Sequence, residues 1–224
     1  MAEHSLYQHR SAAGESLDLP PGKVVCVGRN YAAHARELGN PIPDAPVLFM
    51  KPSTALVAFE APWGLPAGLG PCEAEAELAL LIRAPLSRRS TGAVLDAVAA
   101  AGVALDLTLR AVQSELKAKG HPWERAKAFD GACPVTPWVS LDQLPPMAEL
   151  VFESHINGTL RQHGQVADML FDPASLLTEI NQLFTLLPGD VVLTGTPAGV
   201  GPLVPGDEIE LKMDGRCWKT VVGG

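Results

Sequence analysis

The sequence predicts an α+β fold in which short helices interrupt a mixed sheet, without the regular alternation of a doubly wound domain. Glycine and proline number 21 and 20 among 224 residues, and they separate many short apolar runs. Short apolar runs separated by glycine and proline are typical of β-rich domains. The length suits one sizeable core. We therefore expect a short N-terminal segment, residues 1–22, followed by a single domain, residues 23–224.

The N-terminal half is predicted to hold four strands and three helices. Short apolar or alternating runs indicate the strands, and stretches that end at glycine indicate the helices. The strands are residues 23–27, 47–50, 75–82 and 103–109. The helices are residues 31–38, the alanine-rich residues 95–101, and residues 110–119, which end before Gly39, Gly102 and Gly120.

The C-terminal half contains two predicted hairpins and one helix. The pairs Asn157-Gly158 and Asp214-Gly215 are strong signals for a tight turn between two strands. Pro173 suits the first turn of a helix. The strands are residues 150–156, 159–165, 191–194, 208–213 and 217–222, and the helix is residues 173–187.

Three carboxylates form the first candidate site. Glu75 and Glu77 share one face of a strand and lie about 7 Å apart along it. Asp106 interrupts an apolar strand, where a buried charge is costly unless it is paired or bound to metal. Three converging carboxylates favour a hard divalent cation, and all-oxygen ligands suit Mg²⁺, with Mn²⁺ and Ca²⁺ as alternatives.

Two other interpretations fit the same acidic residues. A Glu-x-Glu pair on a strand is commonly a solvated face. Asp106 could instead form an ion pair with Arg110, which is close in sequence, because structural ion pairs also gather such residues.

His34 and Glu37 form the second candidate site, since residues three apart share one face of a helix. A carboxylate beside an imidazole orients the ring and raises its basicity, which suits a general base. Gly28 and Gly39 flank this helix and predict hinges, so the pair could sit on a lid. A surface ion pair without chemistry is the alternative.

Positive charge is expected near the acidic cluster. Three carboxylates and one divalent ion leave a net charge of −1, so Lys127 or Arg110 could offset it and stabilise an oxyanion. The glycine-rich residues 194–201 could offer backbone N–H groups to a carboxylate. The alternatives are solvated helix residues and a simple tight loop.

Composition excludes several classes of function. The net charge is −8, from 17 basic and 25 acidic residues, and no basic stripe with interleaved aromatic residues points to nucleic acid. No stretch is long and apolar enough for a signal segment or a membrane span, so we expect a cytoplasmic protein. The cysteines, which lack a Cys-x-x-Cys pair, are expected to be buried free thiols: Cys26, Cys72, Cys133 and Cys217.

Several segments in order resemble the fumarylacetoacetate hydrolase family, in its compact acylpyruvase-like branch. The resemblance runs from about residue 23 to residue 213. The segments that carry it are 27–34 (VGRNYAAH), 46–53 (PVLFMKPS), 75–78 (EAEL), 104–110 (ALDLTLR), 122–123 (PW), 126–129 (AKAF) and 194–202 (TGTPAGVGP).

The resemblance implies a β-roll of the fumarylacetoacetate hydrolase C-terminal type, similar to a β-sandwich, that assembles as a homodimer. It implies Mg²⁺ on the three carboxylates and a His34–Glu37 dyad on a lid. Relatives often have Tyr or His before the first metal-binding Glu, where this chain has Ala74. The residues that it implies around the substrate are Lys127, Gln113, Gly195, Thr196, Arg29 and Arg110.

The expected activity is cleavage of a C–C bond in small 2,4-dioxo acids, such as acylpyruvates or fumarylpyruvate. His34 would activate the water that attacks the 4-carbonyl, and Lys127 would stabilise the oxyanion while pyruvate leaves as its enolate. The same site would serve an oxaloacetate decarboxylase or a 2-oxo-acid enol–keto tautomerase. A non-catalytic binder of 2-oxo acids is a further alternative.

Overall fold

A computed structural model describes residues 7–37, 39, 41–88 and 93–223. Within this part of the chain the strands form a large nine-stranded sheet and a smaller four-stranded sheet, joined by short helices. The predicted α+β class is confirmed. No helix in the described ranges is both long enough and apolar enough to cross a bilayer.

The described residues hold thirteen strands and four α-helices. The strands are β1 (Val24–Gly28), β2 (Val47–Lys51), β3 (Leu56–Ala58), β4 (Cys72–Ile82), β5 (Val98–Leu109), β6 (Cys133–Val135), β7 (Val139–Ser140), β8 (Val151–Ile156), β9 (Thr159–Gln165), β10 (Val191–Leu193), β11 (Gly201–Leu203), β12 (Glu208–Met213) and β13 (Arg216–Val221). The helices are α1 (Ala32–Glu37), α2 (Arg110–Ala118), α3 (Glu124–Lys127) and α4 (Pro173–Leu183).

The large sheet is built around the long antiparallel pair β4 and β5. Its order is β2-β1-β10-β4-β5-β6-β3, with β11 also paired to β4 and β7 to β5. The pairs β1–β10 and β3–β6 are parallel. The small sheet has the order β13-β12-β8-β9 and is antiparallel throughout.

Both faces of β4 are buried, because its side chains alternate between two apolar clusters. Leu78, Leu80 and Ile82 pack into the larger cluster, together with residues of the small sheet such as Phe152. Ala79 and Leu81 pack into the second cluster. Strands covered on both sides cannot show a clean alternation of polar and apolar residues.

The described part of the N-terminal segment, residues 7–22, packs against the second cluster through Tyr7, Leu17 and Leu19. His9 is buried there, with Nε2 3.1 Å from the Gly189 carbonyl oxygen and Nδ1 2.9 Å from Trp138 Nε1. The indole can only donate, so His9 Nδ1 accepts and Nε2 carries the proton. The division between residues 1–22 and the domain that follows stays a prediction.

The prediction of a helix over residues 95–101 is wrong. Residues 94–97 form a single 3₁₀ turn, and Val98 begins β5. Alanine favours helix locally, but β4 offers a partner along the whole of β5, from Val98 opposite Ile82 to Leu109 opposite Cys72. Tertiary pairing therefore overrides the intrinsic preference.

Other predictions need smaller corrections. Helix α4 ends at Leu183, because Phe184 has extended backbone angles, so residues 184–187 are not helical. Cys217 is exposed, whereas the other three cysteines are buried. Leu38, at the end of the predicted first helix, lies outside the described residues. Both hairpins form as predicted, with the turn residues in the left-handed region that Asn, Asp and Gly tolerate.

Candidate active site

Several parts of the fold meet at one pocket beside the ends of β4 and β5. Strand β4 supplies two glutamates, β5 supplies Asp106, and α2 follows β5 directly. Helix α3 brings Lys127, and the end of β1 leads through Arg29 into α1, which carries His34. The loop after β10 closes the pocket with Thr196.

Glu75, Glu77 and Asp106 converge as predicted. One carboxylate oxygen from each lies within 4.8 Å of the others. The three residues are 5%, 2% and 1% exposed. The interpretation of Glu75 and Glu77 as a solvated strand face is therefore wrong.

Two lysines partly neutralise this triad. Lys127 Nζ donates to Glu75 Oε2 at 2.9 Å, to Asp106 Oδ2 at 2.5 Å and to Thr108 Oγ1 at 2.6 Å. Lys51, also buried, has its Nζ 2.7 Å from Asp106 Oδ1 and donates to the carbonyl oxygen of Lys127. Asp106 therefore pairs with these two lysines and not with Arg110, so the predicted Asp106–Arg110 alternative is wrong.

Arg110 pairs instead with two glutamates of β4. Its Nε donates to Glu73 Oε2 at 2.7 Å, and its Nη2 donates to Glu75 Oε1. Its Nη1 donates to the side-chain oxygen of Gln113 at 2.7 Å. Arg110 thus holds Glu75 in place from the outer side of the triad.

The carboxylates differ in their tendency to ionise. Burial, together with the neighbouring charges of Asp106 and Glu75, raises the pKa of Glu77 well above its usual range. Burial also opposes the ionisation of Glu75, but Lys127 and Arg110 hold the pKa of that carboxyl well below its usual value. Lys127 is buried too, yet Asp106 and Glu75 raise the pKa of its ammonium.

The residues present fit a hard divalent cation. Three carboxylates form an all-oxygen donor set of the kind that Mg²⁺ and Mn²⁺ prefer. Asp106 Oδ1 is the one buried side-chain N or O atom of the described chain without a hydrogen-bond partner, since Lys51 is close but poorly directed. Glu77 has no cationic partner among the described ion pairs, so a bound metal would supply the counter-charge that its ionised form lacks.

His34 and Glu37 are hydrogen-bonded on one side of α1. His34 Nδ1 lies 3.0 Å from Glu37 Oε2, and His34 is buried against the pocket. Glu37 Oε1 accepts from the backbone N–H of Gly199 at 3.1 Å, which ties α1 to the loop after β10. An ionised Glu37 would accept from Nδ1–H and leave Nε2 as the basic nitrogen.

The loop after β10 requires glycine at two positions. Gly195 has φ +96°, and a Cβ there would lie 2.6 Å from Asn30 Cβ. Gly199 has φ +101°, and a Cβ there would collide with the Arg161 backbone. The Gly195 N–H donates to Glu77 Oε2 at 2.6 Å, so the carboxylate that this loop meets is a protein side chain.

The structure brings all the predicted site residues to this one region, and their roles stay predictions. Arg29, Gln113 and Thr196 line the pocket with the triad. Sequence reasoning missed Lys51 and Thr108. The signal for Lys51 was a lysine at the end of an otherwise apolar strand, where burial demands an anionic partner.

Comparison with known proteins is consistent with this geometry. Residues 23–222 match the family model described as fumarylacetoacetate (FAA) hydrolase C-terminal. The oxaloacetate tautomerase YcgM of Escherichia coli (strain K12) is 46% identical over 224 residues, covering 97% of this chain and all of the relative.

Two crystal structures extend the comparison. A fumarylacetoacetate hydrolase family protein from Yersinia pestis CO92 has a TM-score of 0.94 and 44% identity, covering 96% of this chain and 100% of its own. The fumarylpyruvate hydrolase from Pseudomonas aeruginosa, in complex with Mn²⁺ and pyruvate, has a TM-score of 0.90 and 30% identity, covering 100% of this chain and 98% of its own.

Proposed function

Since the chain belongs to the fumarylacetoacetate hydrolase family and is an enzyme of that family, we propose that it is a metal-dependent oxaloacetate tautomerase. It would interconvert the enol and keto forms of oxaloacetate. The observation that carries this proposal is the 46% identity to an oxaloacetate tautomerase across nearly the whole of both chains. The structure supports it with a buried base beside an acidic triad.

Glu75, Glu77 and Asp106 would hold the divalent ion, with Mg²⁺ as the expected metal. When bound, such an ion withdraws electron density from a 2-oxo group and makes the neighbouring C3–H more acidic. The protein's own contribution is to place the substrate carboxylate and 2-oxo group beside the triad. Thr196 lines this side of the pocket.

His34 would carry the proton. The reaction moves one proton between C3 and the 2-oxygen, with no change in the atoms or charge of the substrate. His34 lines the pocket, and because its Nδ1 is bonded to Glu37, Nε2 would be the nitrogen that meets the substrate. It would carry the proton from C3 to the 2-oxygen in one direction and from the 2-oxygen back to C3 in the other. This transfer needs no water, which suits a buried imidazole.

Lys127 would stabilise negative charge that develops on the 2-oxygen. Its ammonium lies among the carboxylates of the triad rather than in open solvent. A fixed cation in a water-poor site stabilises a developing oxyanion more strongly than one in water. Gln113, held by Arg110, is a further polar group at the same wall.

Hydrolysis of a C–C bond in a 2,4-dioxo acid is the second candidate. It is favoured by the similarity to the fumarylpyruvate hydrolase from Pseudomonas aeruginosa, at 30% identity. Here His34 would take a proton from water, and the resulting hydroxide would attack the 4-carbonyl. Decarboxylation of oxaloacetate and simple binding of 2-oxo acids are the remaining alternatives.

An assay with three substrates separates these functions. The purified protein with Mg²⁺ is given freshly dissolved enol oxaloacetate, fumarylpyruvate and acetylpyruvate. A tautomerase speeds the loss of the enol absorbance without producing pyruvate, whereas a decarboxylase or a hydrolase produces it. A rate of enol loss equal to the uncatalysed rate, with and without metal, would exclude the proposed activity.

Three finer points remain proposals. Mg²⁺ as the native metal, a homodimer and a cytoplasmic location are expectations from the sequence. Sedimentation of the purified protein tests the dimer. Metal analysis of protein purified without added salts tests the metal.

A further inference from the structure

One face of helix α2 points into the pocket. Arg110, Gln113 and Lys117 are spaced by three and four residues, which places them on one side of a helix. All three line the pocket that contains the triad. Lys117 and Lys119 are both exposed, but Lys119 belongs to another face and does not line the pocket.

Lys117 differs from Arg110 and Lys127, which line the same pocket, in having no described carboxylate partner. Arg110 and Lys127 are both engaged by glutamates of β4. Within the described chain Lys117 forms no ion pair, and its ammonium lies over the Trp123 ring, 5.1 Å from the centroid. The indole therefore holds a positive charge at the pocket wall without neutralising it.

Arg29 is a second such cation. It follows the last residue of β1 with φ 60°, lines the same pocket, and forms no ion pair with any described residue. Partial desolvation, with Arg110 and Arg29 nearby, lowers the pKa of Lys117. Positive charges that repel one another in this way are stabilised by a bound anion. No described carboxylate forms an ion pair with either cation, and Glu75 acts on Lys117 only from a greater distance.

We propose that Lys117, held over Trp123 and assisted by Arg29, binds the distal carboxylate of a dicarboxylic 2-oxo acid. This proposal rests on the proposed function, because that function places the C1 carboxylate and the 2-oxo group of oxaloacetate beside the triad. The C4 carboxylate at the other end then needs a separate cation. An acylpyruvate of the same length has an uncharged ketone there. Lys117 would thus select dicarboxylates over monocarboxylates.

The test compares Lys117→Met and Lys117→Arg with the matched control Lys119→Met, which alters the C-cap of the same helix and removes the same charge. Enol loss with oxaloacetate gives KM and kcat for each variant. A charged hydrogen bond of this kind corresponds to roughly a tenfold change in affinity. We expect Lys117→Met to raise KM about tenfold with a smaller effect on kcat. Lys117→Arg, which keeps the positive charge, should have a KM near the wild-type value. Lys119→Met should match the wild type.

Binding gives a readout that does not depend on turnover. Calorimetry in the presence of Mg²⁺ compares malate with 2-hydroxybutanoate, which differ at the distal carboxylate. Wild-type protein should prefer malate, and Lys117→Met should remove most of that preference. An unchanged preference for malate in Lys117→Met, with its melting temperature unchanged, overturns the assignment of Lys117. Absence of oxaloacetate turnover in the wild type overturns only the proposed function, since the binding comparison still decides the role of Lys117.

Discussion

Glu75 and Asp106 stand directly opposite each other on β4 and β5. Two carboxylates in this relationship repel each other, and a sheet normally avoids such a pair. Here the pair is retained because Lys127 bridges both residues and Lys51 approaches Asp106 from the other side. Adding Glu77 from the same face of β4 sets three carboxylates against two lysines, which leaves a negative charge for a bound cation to offset.

Replacing Glu77 with glutamine should weaken metal binding without harming the metal-free fold. Glu77 has no lysine or arginine partner to lose, and its raised pKa already favours the neutral form without metal. The amide oxygen can still accept from the Gly195 N–H. We expect the affinity for Mn²⁺ to fall by more than about tenfold, because a charged ligand of a hard cation is lost.

Calorimetric titration with Mn²⁺ measures this change, and Glu73→Gln is the matched control. Glu73 lies on the same strand and binds Arg110, but it is outside the triad. Equal Mn²⁺ affinity in Glu77→Gln and the wild type would remove Glu77 from the proposed ligands.

Replacing Lys51 with methionine should destabilise the protein, and more so without metal. The change removes a buried partner of Asp106 and a donor to the Lys127 carbonyl oxygen. Breaking a buried ion pair from one side costs about 3–5 kcal/mol. For a chain of this size that lowers Tm on the order of 10 °C.

Saturating Mg²⁺ should recover part of this loss, because a cation bound at Asp106 replaces the missing charge. Ligand at a hundred times its Kd contributes about 2.7 kcal/mol to any protein that binds it, so the gap narrows because the variant, lacking the lysine charge, should bind Mg²⁺ more tightly than the wild type. Scanning calorimetry in EDTA and in Mg²⁺ measures both values. A Tm that falls equally in the two conditions would show that Lys51 and the metal do not share Asp106.

Replacing His34 with alanine should abolish most of the activity while leaving metal binding intact. His34 is placed as the proton carrier, and general acid–base catalysis contributes roughly 10²–10⁴-fold. We expect kcat for enol loss to fall by at least about 10²-fold. Mn²⁺ affinity should stay within about twofold of the wild type, because His34 is outside the triad. Unchanged kcat would remove the base role from His34.

His9 should make the attachment of the N-terminal segment sensitive to acid. Burial lowers the pKa of His9 from 6.5 to about 4, against a weaker opposing effect of the Gly189 carbonyl. The unfolded chain therefore takes up this proton first as pH falls. The stability from neutral His9 is complete above pH 6.5 and is lost as pH falls toward 4. The full shift corresponds to about 3 kcal/mol.

The comparison variant is His9→Gln, which cannot titrate. Urea unfolding from pH 7.5 to 4 should show the wild type losing stability more steeply than the variant below about pH 6.5. Subtracting the two curves removes the contribution of the carboxylates that both proteins share. Parallel curves over this range would mean that His9 is not the group responsible.

The sequence by itself determined the features that depend on neighbours along the chain. Asn157-Gly158 specifies its hairpin because only such residues accept the left-handed turn. Glu75 and Glu77 share a face because side chains alternate on a strand. His34 and Glu37 meet because three residues nearly complete a helical turn. The chemistry of the candidate site could therefore be predicted from the residue types and their spacing.

Only the tertiary structure decided which distant residues became partners. Residues 98–101 lie in a strand because β4 pairs with them, although alanine alone favours helix. Asp106 meets Lys51 and Lys127 rather than its sequence neighbour Arg110, since an arginine that starts α2 points toward β4. The physical reason is that pairing between strands and the burial of charge are long-range effects. They depend on how the whole sheet packs, and no local sequence pattern specifies that packing.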